Sequence, residues 1–184
     1  EKPQFRRIVA NFCNDLIPFL NQLLENSKDP QIGLISASTI VRRLPIDARV
    51  IFNLSKGGFL SKYYEEALSQ SNSSNDDVAR STLQMTADLA QKGDAVEFDD
   101  RLCSFVDQCV KEKRASYNEE ARKAAVYLAQ HPRCSNEFKS LELNEYFREN
   151  QDSDDYANKF LENYSKSISR PVTSPLTPER SPRS

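Results

Sequence analysis

Residues 60–68 read Leu60-Ser61-Lys62-Tyr63-Tyr64-Glu65-Glu66-Ala67-Leu68, with apolar or aromatic side chains at the first, fourth, fifth, eighth and ninth places. That spacing draws one apolar stripe along an α-helix, because residues three and four apart share a face. The same register occurs in Leu16-x-x-Phe19-Leu20-x-x-Leu23-Leu24 and in Leu102-x-x-Phe105-Val106-x-x-Cys109-Val110. It returns in shortened form in Leu143-x-x-Tyr146-Phe147. The leading leucines lie 44, 42 and 41 residues apart. A single amphipathic helix would account for one copy, whereas four copies at a near-constant period point to a repeat.

A second helix, richer in small residues, follows each of the first three copies, over residues 31–44, 78–90 and 120–129. The last two share Ala79-Arg80 and Ala121-Arg122 near their starts and end in Leu89-Ala90 and Leu128-Ala129. Asp29-Pro30 supplies an N-cap followed by a proline in the first turn. Asn75 precedes Asp76 and Asp77, acids suited to the positive end of the helix dipole. Ser116-x-x-Glu119 has the form of a capping box, and Gly93 that of a C-cap. Shorter helical pieces are expected at residues 46–53, 96–100 and 135–141. Gly57-Gly58 supplies the reversal into Phe59-Leu60. No period-2 run bounded by turn residues occurs, so no sheet is expected.

A short helix, a Gly57-Gly58-Phe59-Leu60 step, an apolar helix and a small-residue helix together resemble an armadillo repeat. HEAT repeats, with two helices per unit, are the near alternative. The resemblance covers residues 12–150 and implies an all-α, right-handed solenoid of about three repeats. Stacked units in such a fold share a core that none could build alone. In armadillo proteins the third helix of each repeat lines a concave groove that grips an extended partner segment. Aligning Leu44, Leu89 and Leu128 as the ends of those helices puts Thr39 and Arg43, Gln84 and Asp88, and Lys123 and Tyr127 in the groove. Tyr and Arg are types enriched at binding hot spots. Karyopherin-type members carry Trp and Asn at these places. This chain has no Trp, and none of the six is Asn, so the resemblance does not extend to binding nuclear signals.

Composition narrows the class further. Hydrophobic residues make up 38% of the 184, below the usual ~45–50%, which fits a good core diluted by a polar end. The 25 basic and 27 acidic residues are well mixed, without the concentrated basic stripe that neutralises phosphates, so nucleic acid is not an expected partner. No apolar run is long enough to span a bilayer, and no basic segment leads into an apolar core as in a secretory signal. Cys13, Cys103, Cys109 and Cys134 include no Cys-x-x-Cys pair, so reduced thiols in the cytosol or nucleus are expected. Catalysis finds little footing. His131, the single histidine, sits beside Pro132 with no Ser or Cys partner nearby, and reads as a loop residue. With four glycines there is no phosphate-binding loop, and no cofactor, metal or small-molecule substrate is expected.

A last helix is expected over residues 152–166, capped by Ser153 and presenting Tyr156, Phe160, Leu161 and Tyr164 to the open end of the stack. The repeat domain is thus drawn as residues 1–166 and a disordered tail as 167–184. Ser, Pro, Thr and Arg dominate that tail, which has too little apolar surface to order itself. It holds Ser174-Pro175, Thr177-Pro178 and Ser181-Pro182, three steps open to a proline-directed kinase, and Thr173 sits at the centre of a phosphopeptide-docking-like stretch. The chain begins Glu1-Lys2-Pro3 without an initiator Met, so a piece of a longer protein is expected.

The expected function is a non-catalytic adaptor that binds a peptide or helix of another protein, regulated through phosphorylation of Thr173, Ser174, Thr177 and Ser181. A scaffold segment of a larger kinase or phosphatase assembly is the alternative. Far-UV circular dichroism should show a helical spectrum, and substantial strand content would contradict the fold class.

Overall fold

Ten α-helices and one turn of 3-10 helix at Gln151–Ser153 account for the described structure, with no strand among the described residues. The computed structural model describes residues 3–44, 48–71, 75–92, 98–153 and 155–169. The helices are α1 (Pro3–Asn26), α2 (Pro30–Arg43), α3 (Ala48–Lys56), α4 (Phe59–Ser71) and α5 (Asp76–Lys92). They continue as α6 (Asp100–Glu112), α7 (Asn118–Leu128), α8 (Pro132–Ser140), α9 (Leu143–Glu149) and α10 (Asp155–Ile168). The fold is all-α.

Local chemistry sets most of the boundaries. Asp29 caps α2 by accepting from the amides of Gln31 and Ile32 at 2.9 and 3.5 Å, with Pro30 in the first turn. Asn75 does the same for α5, accepting from Asp77 and Val78 at 3.1 and 3.2 Å. Asp99 caps α6 through the amide of Arg101 at 2.7 Å. Gly58 turns α3 into α4 with φ at +75°, a conformation that glycine adopts without a steric penalty.

The expected capping box of α7 is replaced by another arrangement. Tyr117, not Ser116, occupies the cap, and it makes no side-chain cap bond. The Ser116 hydroxyl instead donates to Asp76 at 2.6 Å, Arg114 donates to the same carboxylate at 3.1 Å, and Arg80 donates to the Ser116 carbonyl at 2.5 Å. A partner distant in sequence outcompetes the local cap and ties the start of α7 to that of α5. The Ser116 hydroxyl, with help from Arg114, holds the Asp76 carboxyl below the usual carboxylate range.

The helices form two rows. Along one row α2 packs on α5, α5 on α7, and α7 on α10. Along the other α1 packs on α4 and α4 on α6. Each apolar helix also packs on the small-residue helix after it, in the pairs α1 with α2, α4 with α5, and α6 with α7. The apolar stripe forms the core between the rows: Leu60, Tyr63, Tyr64, Ala67, Leu102, Val106, Cys109 and Val110 are all buried. Both α5 and α7 bury small side chains, Ala79, Ala87 and Ala90 on one and Ala121, Ala124 and Ala125 on the other, and small residues let helix axes approach. The buried tyrosine hydroxyls of α4 are matched. The Tyr63 and Tyr64 hydroxyls bond Thr82 and Thr86 at 3.2 and 3.0 Å, and burial raises both tyrosine pKa values. Asp107, also buried, is held by Lys111 at 2.8 Å, and Lys111 reaches on to the Leu141 carbonyl at 2.8 Å.

The far end is built on Phe160 of α10. Its ring lies 4.3 Å from that of Phe147 and 5.8 Å from that of Phe138, so that α8, α9 and α10 meet on aromatic contacts. The helix runs beyond the boundary drawn from composition: Ser167 is buried and α10 continues to Ile168. The apolar face of α10 recurs every three or four residues, and Ser167 falls on it. Several expectations fall outside the described residues: the Gly93 cap, most of the helix at 96–100, the Ser153 side chain, and Thr173, Ser174, Thr177 and Ser181. Within that stretch Phe98 and Asp99 are described and are not helical.

Gly33 marks the closest approach of α1 and α2. A Cβ there would lie 2.7 Å from the Leu23 carbonyl oxygen and 2.9 Å from the Ser27 Cβ, whereas one at Gly58 meets nothing within 4 Å. Gly33→Ala should therefore lower stability by about 1–3 kcal/mol in denaturant titration through overpacking. Gly58→Ala should cost about 1–2 kcal/mol through backbone strain alone and leave the α1–α2 contact intact. A neutral Gly33→Ala would contradict this packing.

Candidate interaction surface on α2, α5, α7 and α10

The sides of α2, α5, α7 and α10 turned away from the core carry polar residues joined from helix to helix. Arg42 on α2 donates through Nε to Asp88 at 2.9 Å and through a terminal nitrogen to Gln84 at 2.5 Å, both on α5. The Gln84 amide then donates to Glu120 on α7 at 3.1 Å, and Arg80 lies 3.8 Å from the same carboxylate. Tyr156 on α10 donates to Glu119 on α7 at 3.2 Å, and Asn163 donates to the Val126 carbonyl at 2.9 Å. Beneath this layer the Ser38 and Ser81 hydroxyls bond across the buried α2–α5 contact. Each step of the row is thus bridged by side chains that must give up water to form it, and a net gain of about 0.5–1.5 kcal/mol per bond is typical.

Two clefts open on this surface. Arg42, Gln84, Asp88, Glu119, Glu120 and Lys123 line one of about 200 Å³ between α2, α5 and α7. The second, about 410 Å³ between α7 and α10, is lined by Glu119, Lys123, Val126, Tyr127, Tyr156, Lys159, Glu162 and Asn163. Lys123 and Glu119 belong to both, so the clefts adjoin.

Four of the six groove residues named from sequence line these clefts. Gln84 and Asp88 are half-buried members of the bonded chain, Lys123 is exposed between the clefts, and Tyr127 is half-buried in the second. Thr39 is exposed, its hydroxyl donating to the Ile35 carbonyl in its own helix at 2.7 Å. Arg43 is exposed and joins no described bond across the row. Its neighbour Arg42, which the sequence reading passed over, makes that contact. Bonded side-chain neighbours across α2 and α5 differ by 42 to 46 in number and those across α5 and α7 by 36 to 40, which brackets the 45 and 39 that aligning Leu44, Leu89 and Leu128 implies. Tyr156, Lys159 and Asn163 were also missed as surface residues, because α10 was read only for its apolar face.

Away from this surface the titratable groups serve the core. Cys103, Cys109 and Cys134 are free and buried. Burial pushes the Cys109 thiol up to about 12. The contact with Cys134, and burial after it, raises Cys103 too. Such thiols are poor nucleophiles, since reactivity follows the thiolate. His131 is half-buried rather than a free loop residue: its Nε2 donates to the Ala90 carbonyl at 3.2 Å and its ring meets Phe98 edge-on at 5.2 Å. A further cleft of about 590 Å³ lies between α4 and α6, against Glu65, Leu68, Arg101 and Phe105. No group of three or more His, Cys, Asp or Glu side chains among the described residues is placed to hold a metal ion, and no described helix is long and apolar enough to cross a membrane.

Compared with known proteins, the chain matches no family model, no curated protein and no solved structure.

The adjacent arginines on α2 separate the bonded layer from the open surface. Arg42→Ala should lower unfolding stability by about 0.5–1.5 kcal/mol, the range for partly exposed charged hydrogen bonds. Arg43→Ala should stay within about 0.5 kcal/mol of the parent. Equal losses in urea titration would contradict the assignment of Arg42 as the bridging residue.

Proposed function

We propose that this chain is a non-catalytic adaptor, a short right-handed armadillo-like solenoid that holds an extended segment of another protein along α2, α5, α7 and α10. In this reading α2, α5, α7 and α10 are the third helices of successive units, and α10 completes a last unit as well as closing the stack. The observation that carries it is the set of polar bonds that bridge each step of the row, Arg42 to Gln84, Gln84 to Glu120 and Tyr156 to Glu119, with two adjoining clefts along it. Such a layer supports the groove floor while leaving Thr39, Arg43, Lys123 and Tyr127 available to a ligand. Tyr127 supplies a half-buried aromatic of the kind that anchors interfaces, and Glu119 and Glu162 beside it suit the backbone amides of an extended chain. The buried, unreactive thiols are in keeping with a reducing cytosolic or nuclear setting. The α4–α6 cleft is the competing surface.

The test replaces Tyr127 with a photo-crosslinking aromatic and identifies the peptides captured. The double variant Lys123→Glu/Tyr127→Ala should weaken capture of the same partner by about tenfold or more, the effect of losing one hot spot. Arg101→Ala/Gln108→Ala in the α4–α6 cleft should leave capture unchanged. Capture lost in the second variant and kept in the first would overturn the groove assignment.

A further inference from the structure

We propose that the cleft between α7 and α10 binds a proline-rich segment of another protein in the polyproline II conformation, with prolines three residues apart. The proposal rests on reading this face as a binding surface, and it names the class of partner. The register of the two helices carries it. Tyr156 donates to Glu119 and Asn163 to the Val126 carbonyl, and both pairs differ by 37 in number. A constant difference means that α7 and α10 run parallel, side by side. Tyr156 therefore stands level with Glu119, and Tyr127 stands eight residues further on, about 12 Å along the axis. Side chains on a helix lean toward its N-terminus, so on parallel helices both rings shift the same way and the separation survives. The cleft is a slot with one tyrosine toward each end, on opposite walls. A polyproline II helix advances about 3.1 Å per residue, so about three to four residues span that distance. A spacing of three also returns the second proline to the side of the first, because this helix turns once every three residues.

Charge and hydrogen-bonding capacity suit the same occupant. Glu119, Glu162, Lys123 and Lys159 line the cleft, two of each sign, so the lining favours neither an acidic nor a basic segment. The Lys123 and Lys159 ammonium groups and the Tyr127 hydroxyl are donors with no bonded partner among the described residues. A polyproline II chain bonds none of its own carbonyls, and proline brings no N–H, so such a segment offers acceptors to these donors. The two residues between the prolines keep their amides, which the two glutamates accept. An α-helical partner would satisfy its own carbonyls and leave the lysines unused. Aromatic side chains are what hold proline rings in grooves of this kind, and the preformed helix loses little entropy on docking. The bond from Tyr156 to Glu119 sets one of the two rings in place before a ligand arrives.

The experiment titrates the isotope-labelled full chain with three end-capped peptides of equal length and follows amide shifts by NMR. The first repeats Pro-Ala-Ala three times, the second has the same composition with its prolines adjacent, and the third carries threonine in place of each proline. The first should bind about tenfold more tightly than either of the others, the effect of engaging a second anchor, with the largest shifts in α7 and α10. Tyr156→Ala should bring the first peptide down to the affinity of the second. The peptide series leaves the protein unaltered, so the comparison stands even where a tyrosine variant folds poorly. Equal binding of all three peptides overturns the proline preference, as does binding of none, and shifts confined to α4 and α6 overturn the site. Capture of a partner at Tyr127 requires no proline in the captured peptide, so a failure here is distinct from a failure of that surface.

Discussion

The α5–α7 contact is the constraint on which the rest of the molecule depends. Both helices bury many small side chains, which lets helix axes approach, and α2, α4, α6 and α10 each pack on one of the two. On one side α2 packs on α5, on the other α10 packs on α7, and α4 and α6 cover the two from the core side. Larger residues at Ala87 or Ala124 would push the axes apart and strip Gln84 from Glu120 and Arg80 from Ser116. The polar row on the surface follows from apolar packing beneath it.

This arrangement also explains where buried polarity is tolerated. Tyr63, Tyr64, Thr82 and Thr86 place hydroxyls between α4 and α5, where each finds a partner. Asp107 stays buried because Lys111 meets it and also reaches the α8–α9 turn. The Asp76, Arg114 and Ser116 cluster fixes the register of α5 against α7 at the other end of the same contact. Its sign with pH follows from the lowered Asp76 pKa: the contribution is present above the ordinary carboxylate range and is lost as pH falls through the lower, folded value.

Much of the helix pattern could be read from the sequence, because Leu60, Tyr63, Tyr64 and Ala67 are all core and their spacing recurs in α6. The first copy was only half informative. Leu20 is buried, but Phe19 is 48% exposed although it falls on the same stripe. Contacts between residues far apart in sequence could not be read. Nothing local distinguishes Arg42 from Arg43, and the choice is made by Gln84 and Asp88 some forty residues on. Ser116 looked like a cap because its partner, Asp76, is invisible to a local pattern. The helix α10 looked different from α5 and α7 because Phe160 and Tyr164 fill its buried face where the others use alanine. Its outward residues were therefore not set beside theirs.

Native-state hydrogen exchange, resolved by peptide, tests the stacked architecture most directly. In a row of units stabilised by their neighbours, protection is greatest in the middle and decays toward both ends. The slowest amides should lie in α5 and α7, with protection falling through α2 to α1 on one side and through α10 on the other. Two separately protected blocks, α1 to α4 and α8 to α10, with fast exchange in α5 and α7 between them, would contradict the account.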